Sequence, residues 1–159
     1  MTNEIPENHF FKYAFPCSHI LLESNKITKK EFEDLKNKFL NKKNPDKKSL
    51  ERIFPAAFRR IKKLAEKLGR HYWDYEVIKQ YWEKEHNRLI NNDEDGYGKQ
   101  PESFKDLCKI TTAKIIDKKQ NLLIVEYNNK KRIVFDNLIK SVNIGDRVKI
   151  HYAYAIEKI

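Results

Sequence analysis

The chain has few of the residues that form tight loops or cross-link a fold, and each scarcity excludes a class of protein. Its four glycines among 159 residues provide no glycine-rich loop of the kind that cradles a nucleotide phosphate. Two cysteines, Cys17 and Cys108, are too few for a disulfide framework. The longest uncharged run, ten residues from Tyr13 to Leu22, is too short to span a membrane and lacks the flanks of a signal peptide. We therefore expect a reduced, cytoplasmic protein with no membrane association.

Catalytic patterns are also missing from the sequence. No paired carboxylates or nucleophile–base arrangement occurs at a familiar spacing, so we expect no enzymatic activity and no permanently bound cofactor. What the chain does have is an apolar share of 40%, which is enough for packed cores, and a formal charge of +10. A large positive charge favours acidic surfaces or nucleic acid as partners, although lysine-rich residue usage alone would produce the same balance.

The charge divides the chain into three segments. Residues 1–90 carry a net charge of +7, residues 91–103 carry −3, and residues 104–159 carry +6. The middle segment combines Asn, Asp, Gly and Pro and contains little to bury, which is typical of a linker. We therefore predict a helical domain over 1–90, a linker over 91–103 and a second domain over 104–159.

Start and stop signals predict helices in the first segment. Thr28 and Glu31 form the pattern of a capping box, and Asp74 is placed to cap a later helix. A further helix is predicted from about Ser49 to Leu68, or from nearer Ala56 if Pro55 does not fall in its first turn. The opening segment is predicted to be a core helix broken near Pro16. These signals predict a small bundle of three or four helices.

The last segment changes to short runs of β-branched and aromatic residues. Cys108 is predicted to begin the first strand, and Asn128-Asn129 to form a tight hairpin turn. Five short strands in so few residues favour a small closed barrel, because closure removes exposed strand edges. The predicted fold class is therefore α+β, with an N-terminal helical bundle followed by a five-stranded, OB-like β-barrel. The predicted strands are Ile110–Ile116, Leu122–Tyr127, Arg132–Phe135, Arg147–Tyr152 and Ala153–Glu157.

The end of the chain resembles a known family. The stretch Val125–Ile159 ends in Gly-Asp-Arg-Val-Lys-Ile-His-Tyr-Ala-Tyr-Ala-Ile-Glu-Lys-Ile, and Leu107-Cys108-Lys109-Ile110 lies upstream. The order of these motifs is similar to that of the HypC/HupF family, which are small chaperones of [NiFe]-hydrogenase maturation. The resemblance covers roughly the last third of the chain and implies a HypC-like barrel. Residues 1–95 resemble no family that we recognise.

The resemblance also implies a role and a site. Members of the family dock the scaffold protein HypD and the precursor of the hydrogenase large subunit, and we expect HypD-like and precursor-like partners here. It implies that Cys108 and His151 form a metal site that contacts iron transiently. The chain departs from the family pattern, because Cys108 is internal and Thr112 and Ala113 replace the family's proline and glycine. A buried structural cysteine and a histidine that merely hydrogen-bonds within the fold are the alternative interpretations.

A second function is also compatible with the sequence. Nucleic-acid binding by a basic OB-like barrel and basic helices would explain the charge of both segments. The candidates in the helical half are a basic run from Arg59 to Lys67 and an aromatic group from Tyr72 to Trp82. Helical spacing favours core packing for the aromatic group and a solvated face for the basic run.

Overall fold

The computed structural model describes residues 4–139 and 141–159, and the chain forms two compact units. The first unit comprises Met1–Leu89 and the second Ile90–Ile159. Helices fill the first unit, and a closed five-stranded β-barrel dominates the second, so the predicted fold class is confirmed. None of the helices in the described part of the chain is both long enough and apolar enough to cross a membrane.

Two helices of the first unit begin where the capping signals predicted them. The Thr28 hydroxyl accepts a hydrogen bond from the Glu31 amide at 3.1 Å, while the Thr28 amide donates to the Glu31 carboxylate, which is the complete capping box. The Asp74 carboxylate caps a later helix by accepting from the Glu76 amide. The helices are α1 (Pro6–Ala14), α2 (Ser18–Glu23), α3 (Lys29–Leu40), α4 (Lys47–Ile53), α5 (Pro55–Leu68), α6 (Tyr75–Gln80) and α7 (His86–Asn91), with a 3₁₀ turn at Phe15–Cys17 and a π turn at Tyr81–Glu85.

The helix predicted from about Ser49 to Leu68 is two helices, because the chain breaks at Phe54. The alternative start near Ala56 lies one residue from the observed start of α5. Phe54 has a non-helical backbone, with φ −116° and ψ 57°, and Pro55 starts α5 as its first residue. Proline has no amide hydrogen to donate and favours the first turn of a helix, so it separates α4 from α5. The helix α5 then ends at Gly69, whose φ of +64° lies in the left-handed region that favours glycine.

Aromatic rings form the core of the first unit. Phe10 is fully buried and lies with its ring centroid 4.6 Å from Phe58, 5.7 Å from Trp82 and 6.0 Å from Trp73. Large rings bury much apolar area with few rotatable bonds, which suits a small unit with short helices. Trp73 and Trp82 are therefore core residues, as helical spacing favoured.

The segment predicted to be a linker has secondary structure of its own. It holds a 3₁₀ turn at Tyr97–Lys99 and the start of α8 (Glu102–Cys108), and it clusters with the second unit. Tyr97 is buried, so the expectation that this segment has little to bury is wrong. Six polar or glycine residues, 91–96, precede Tyr97, so the composition of the segment gives no sign of this buried side chain.

The barrel closes in the order β1-β2-β3-β5-β4, with β4 returning to pair with β1. The pairs are antiparallel except for one parallel contact between β3 and β5, at Phe135 and Tyr154. The hairpin turn between β2 and β3 lies at Asn128-Asn129, which both adopt positive φ as predicted. This arrangement is a small OB-like barrel. Its strands are β1 (Thr111–Lys119), β2 (Leu122–Tyr127), β3 (Lys130–Phe135), β4 (Arg147–His151) and β5 (Tyr154–Lys158).

The capping box provides a test of the first unit alone. Thr28→Ala removes the hydroxyl that accepts from Glu31, which should lower the free energy of unfolding by about 1 kcal/mol. Both tryptophans lie in the first unit, so tryptophan fluorescence during urea unfolding reports on that unit. Thr112→Ala, at an exposed position of the barrel, is the matched control and should leave the midpoint unchanged. Equal midpoints for the two variants would contradict this assignment.

Candidate functional site

Cys108 ends a helix and does not begin a strand, which corrects the sequence prediction. It is the last residue of α8, and β1 starts at Thr111. Pro101 in an extended conformation precedes the helix, and Glu102 supplies negative charge in the first turn, where the helix dipole favours it. The β-branched residues that suggested a strand begin only after Cys108.

The backbone brings Cys108 near His151. The Tyr152 amide, one residue after β4, donates a hydrogen bond of 3.1 Å to the carbonyl of Leu107, the neighbour of Cys108. Cys108 is 4% exposed and His151 is fully buried, so neither side chain is open to solvent in this conformation. Within the described residues, no three His, Cys, Asp or Glu side chains come together as a metal-binding group. The two predicted ligands are thus on adjacent segments but inside the unit.

Lys105, which lies close to Cys108 in the sequence, is paired with two carboxylates. Lys105 is buried and forms ion pairs with Asp93 and Glu102. The hydrogen bond to Asp93, followed by that to Glu102, raises the pKa of Lys105. Because these two carboxylates compensate its charge, Lys105 gives little support to a thiolate at Cys108.

Arg132 lies at the centre of a polar network in the second unit. Its Nη1 donates to the Tyr152 carbonyl at 3.1 Å, and its Nη2 donates to the Tyr127 hydroxyl at 2.7 Å and to the Asp106 carbonyl at 3.3 Å. The guanidinium also lies over the Tyr127 ring, 4.7 Å from its centroid. One side chain on β3 therefore contacts β2, α8 and the turn between β4 and β5.

The Asp106 carboxylate completes this network. It accepts from the Tyr127 hydroxyl at 2.9 Å and lies 3.5 Å from Arg132 Nη2 and 3.6 Å from Lys130 Nζ. Partial burial opposes its ionisation, but the Tyr127 hydrogen bond and the two cations outweigh burial and lower its pKa. Asp106 is therefore a charged partner for Arg132 at neutral pH.

An open groove of about 610 Å³ lies beside this network. Its lining mixes charges of both signs, so it has no clear preference for an anionic or a cationic ligand. Cys108 and His151 are not among the lining residues, which are Glu102, Ser103, Asp106, Leu107, Lys109, Asn128 and Lys130.

The outer face of β2 and β3 is apolar at its centre. Leu122 lies opposite Phe135, and Ile124 lies opposite Ile133, in two neighbouring cross-strand pairs. Ile133 is 59% exposed and Phe135 is 37% exposed, while Leu122 and Ile124 are half-buried. We call these four residues the aliphatic face. Contiguous exposed apolar side chains on a protein surface are typical of an interaction site.

Lysines border the aliphatic face. In the cross-strand register, Lys119 lies beside Leu122, while Lys114 and Lys131 lie on either side of Glu126. All three lysines are exposed. The face thus has an apolar centre and a mainly basic rim.

Sequence reasoning missed both Arg132 and the aliphatic face. In β3 the charged Arg132 points inward with the buried Val134, while the apolar Ile133 and Phe135 point outward. The alternation of side chains along β3 can be read from the sequence. Hydrophobicity alone, however, would place Ile133 and Phe135 in the core and Arg132 in solvent. The cross-strand pairing shows which face of β3 is buried, since Val134 lies opposite the buried Leu123.

The Arg132 network should keep Cys108 protected. In a Cys17→Ser background Cys108 is the remaining thiol, and we expect Arg132→Gln to speed its reaction with a disulfide reagent by about tenfold or more, because the barrel loses about 1–3 kcal/mol. Lys131→Gln, the exposed neighbour on β3, is the control and should leave the rate unchanged. Equal rates in the two variants would show that Arg132 does not hold α8 on the barrel.

Comparison with known proteins adds no further constraint on the function. The chain matches no model of a protein family and no curated protein sequence. The resemblance of Val125–Ile159 to the HypC/HupF family therefore stays a prediction from the sequence of those residues.

Proposed function

We propose that the protein is a cytoplasmic, non-enzymatic accessory factor whose barrel docks partner proteins during the assembly of a metal centre. The observation that carries this proposal is the aliphatic face, in which Ile133 and Phe135 are exposed beside Leu122 and Ile124. Exposing such side chains to water is unfavourable, and a partner that covers them gains about 25 cal/mol for each Å² buried. The resemblance to HypC supplies the class of partner, a HypD-like scaffold and a hydrogenase large-subunit precursor.

The chemistry of the aliphatic face favours a protein over a nucleic acid. Barrels that bind single strands stack bases on aromatic rings along the binding face. Of the six outward positions on β2 and β3, one is aromatic, Phe135, and the centre is occupied by leucine and isoleucine. Aliphatic side chains pack well against the apolar residues of a protein, while the lysine rim suits carboxylates around them.

Transient contact with iron is the second part of this proposal. It is supported by the hydrogen bond between Tyr152 and Leu107, which places the segments carrying Cys108 and His151 next to each other. A thiolate and a neutral imidazole are suitable ligands for iron. Because both side chains are buried, contact would require α8 to move away from the end of β4, and docking of a partner would supply the free energy for that opening.

Substitution on the aliphatic face tests the docking role. Binding of the purified chain to a HypD-type scaffold and to a large-subunit precursor is measured by calorimetry. We expect Ile133→Asp to weaken binding by about tenfold or more, since it places a charge in the apolar centre. Thr112→Asp, an exposed position on β1, is the matched control and should retain the wild-type affinity.

Two outcomes would contradict the docking role. One is that the wild-type chain binds neither the scaffold nor the precursor. The other is that Ile133→Asp and Thr112→Asp bind equally well, since a partner would then not cover the aliphatic face.

Anaerobic loading with Fe(II), in the presence of a bound partner, tests the iron contact separately. We expect Cys108→Ala to lose a thiolate-dependent absorption band and at least half of the retained iron, because the soft ligand is removed. Cys17→Ala, at a half-buried position in the helical unit, is the control and should load as the wild type does. Equal iron content in the two variants would remove Cys108 from the proposal and leave the docking role intact.

A further inference from the structure

The helix α5 has two unlike faces. Its buried stripe consists of Phe58, Ile61, Leu64 and Ala65. Arg59, Lys62, Lys63 and Lys67 are exposed elsewhere on the helix, and Arg70 follows directly after it. From residue 59 to residue 70 the chain has six basic side chains and one acidic one. We call the exposed cations of this segment the α5 basic face.

A groove of about 410 Å³ lies at the end of this face. It is lined by the cations Lys62 and Arg70, by Glu66, and by the rings of His71 and Tyr72. Arg70 forms an ion pair with Asp74 at 3.2 Å, which fixes the guanidinium at the groove. The groove therefore combines positive charge with aromatic surface.

The two rings form a fixed stack. The centroids of His71 and Tyr72 lie 4.6 Å apart with an interplanar angle of 24°. The Tyr72 hydroxyl donates to Glu51 at 2.9 Å, and the indole of Trp73 donates to the same carboxylate at 2.7 Å. The His71 side chain is exposed, while Tyr72 is half-buried behind it. An exposed ring held in one orientation is a suitable surface for a base to stack on.

We propose that the α5 basic face and the His71–Tyr72 stack bind single-stranded nucleic acid, a function beyond the protein docking assigned to the barrel. Lys63 and Lys67 are one turn apart on the same side of α5, about 6 Å along the axis, so they form a row that follows a phosphate backbone. At the end of that row an unpaired base stacks on His71, while Lys62 and Arg70 contact the adjoining phosphates. An unpaired base is needed because a base within a duplex offers no open ring face.

Fluorescence anisotropy of the full chain with a labelled oligo-uridine of about 12 nucleotides tests the proposal. We expect Lys63→Glu/Lys67→Glu to weaken binding by about tenfold or more at low salt. The log–log salt slope should be smaller in magnitude by about 0.7 for each lost phosphate contact. The matched control is Lys29→Glu/Lys30→Glu, which makes the same charge change at exposed positions in the first turn of α3. It should lose much less affinity.

Substitution of the ring tests the stacking part. We expect His71→Ala to weaken binding by about fivefold or more and His71→Phe to restore it, because phenylalanine keeps a flat ring. Tryptophan fluorescence shows whether each variant keeps the first unit folded. If Lys63→Glu/Lys67→Glu unfolds this unit, Lys63→Gln/Lys67→Gln replaces that variant, and we again expect weaker binding of the oligo-uridine.

Three results would overturn the proposal. Equal losses in the α5 and α3 variants would show attraction to net charge alone. Equal affinity for the oligo-uridine and for a duplex of the same length would exclude base stacking on His71. No binding by the wild-type chain at low salt would exclude the site as a whole.

Discussion

The second unit depends on the guanidinium of Arg132, which is mostly shielded from solvent. Between β3 and β5 the barrel has a single parallel pair, so backbone pairing alone closes this side weakly. Arg132 spans the gap by donating to the Tyr152 carbonyl, and its second nitrogen reaches Tyr127 and Asp106. The side chain is only 9% exposed, and Asp106 together with these acceptors compensates most of the desolvation cost. Its Nε is buried without a hydrogen-bond partner among the described residues. Desolvation of this nitrogen therefore offsets part of the free energy gained from the other hydrogen bonds of Arg132.

Closure by Arg132 links the two candidate sites of the barrel. On its inward side the arginine holds the end of α8 beside the turn after β4, where Cys108 and His151 are buried. On the outward side the same strand presents Ile133 and Phe135, since successive residues of a strand point in opposite directions. Under the proposed function, a partner bound to the outer face would contact the same strand that holds α8 in place. Docking would in that way affect the segment that carries the buried thiol.

Local signals in the sequence predicted much of the fold and little of the site. The capping box at Thr28, the stop at Gly69 and the turn at Asn128-Asn129 depend on neighbouring residues, and each forms as expected. The sequence does not predict α8, because the resemblance to the HypC pattern places Cys108 at the start of a strand. Arg132 was missed because its role depends on acceptors about 20 to 26 residues away, which no local pattern contains. The burial of Cys108 and His151 likewise follows from tertiary packing and not from their spacing in the chain.

Nuclear magnetic resonance can show directly whether the barrel docks a protein through its aliphatic face. Amide and methyl signals of the labelled chain are followed while an unlabelled HypD-type scaffold or large-subunit precursor is added. We expect the largest shifts at Leu122, Ile124, Ile133 and Phe135, with smaller changes at Cys108 and His151. Shifts confined to other surfaces, with the signals of β2 and β3 unmoved at saturation, would contradict it.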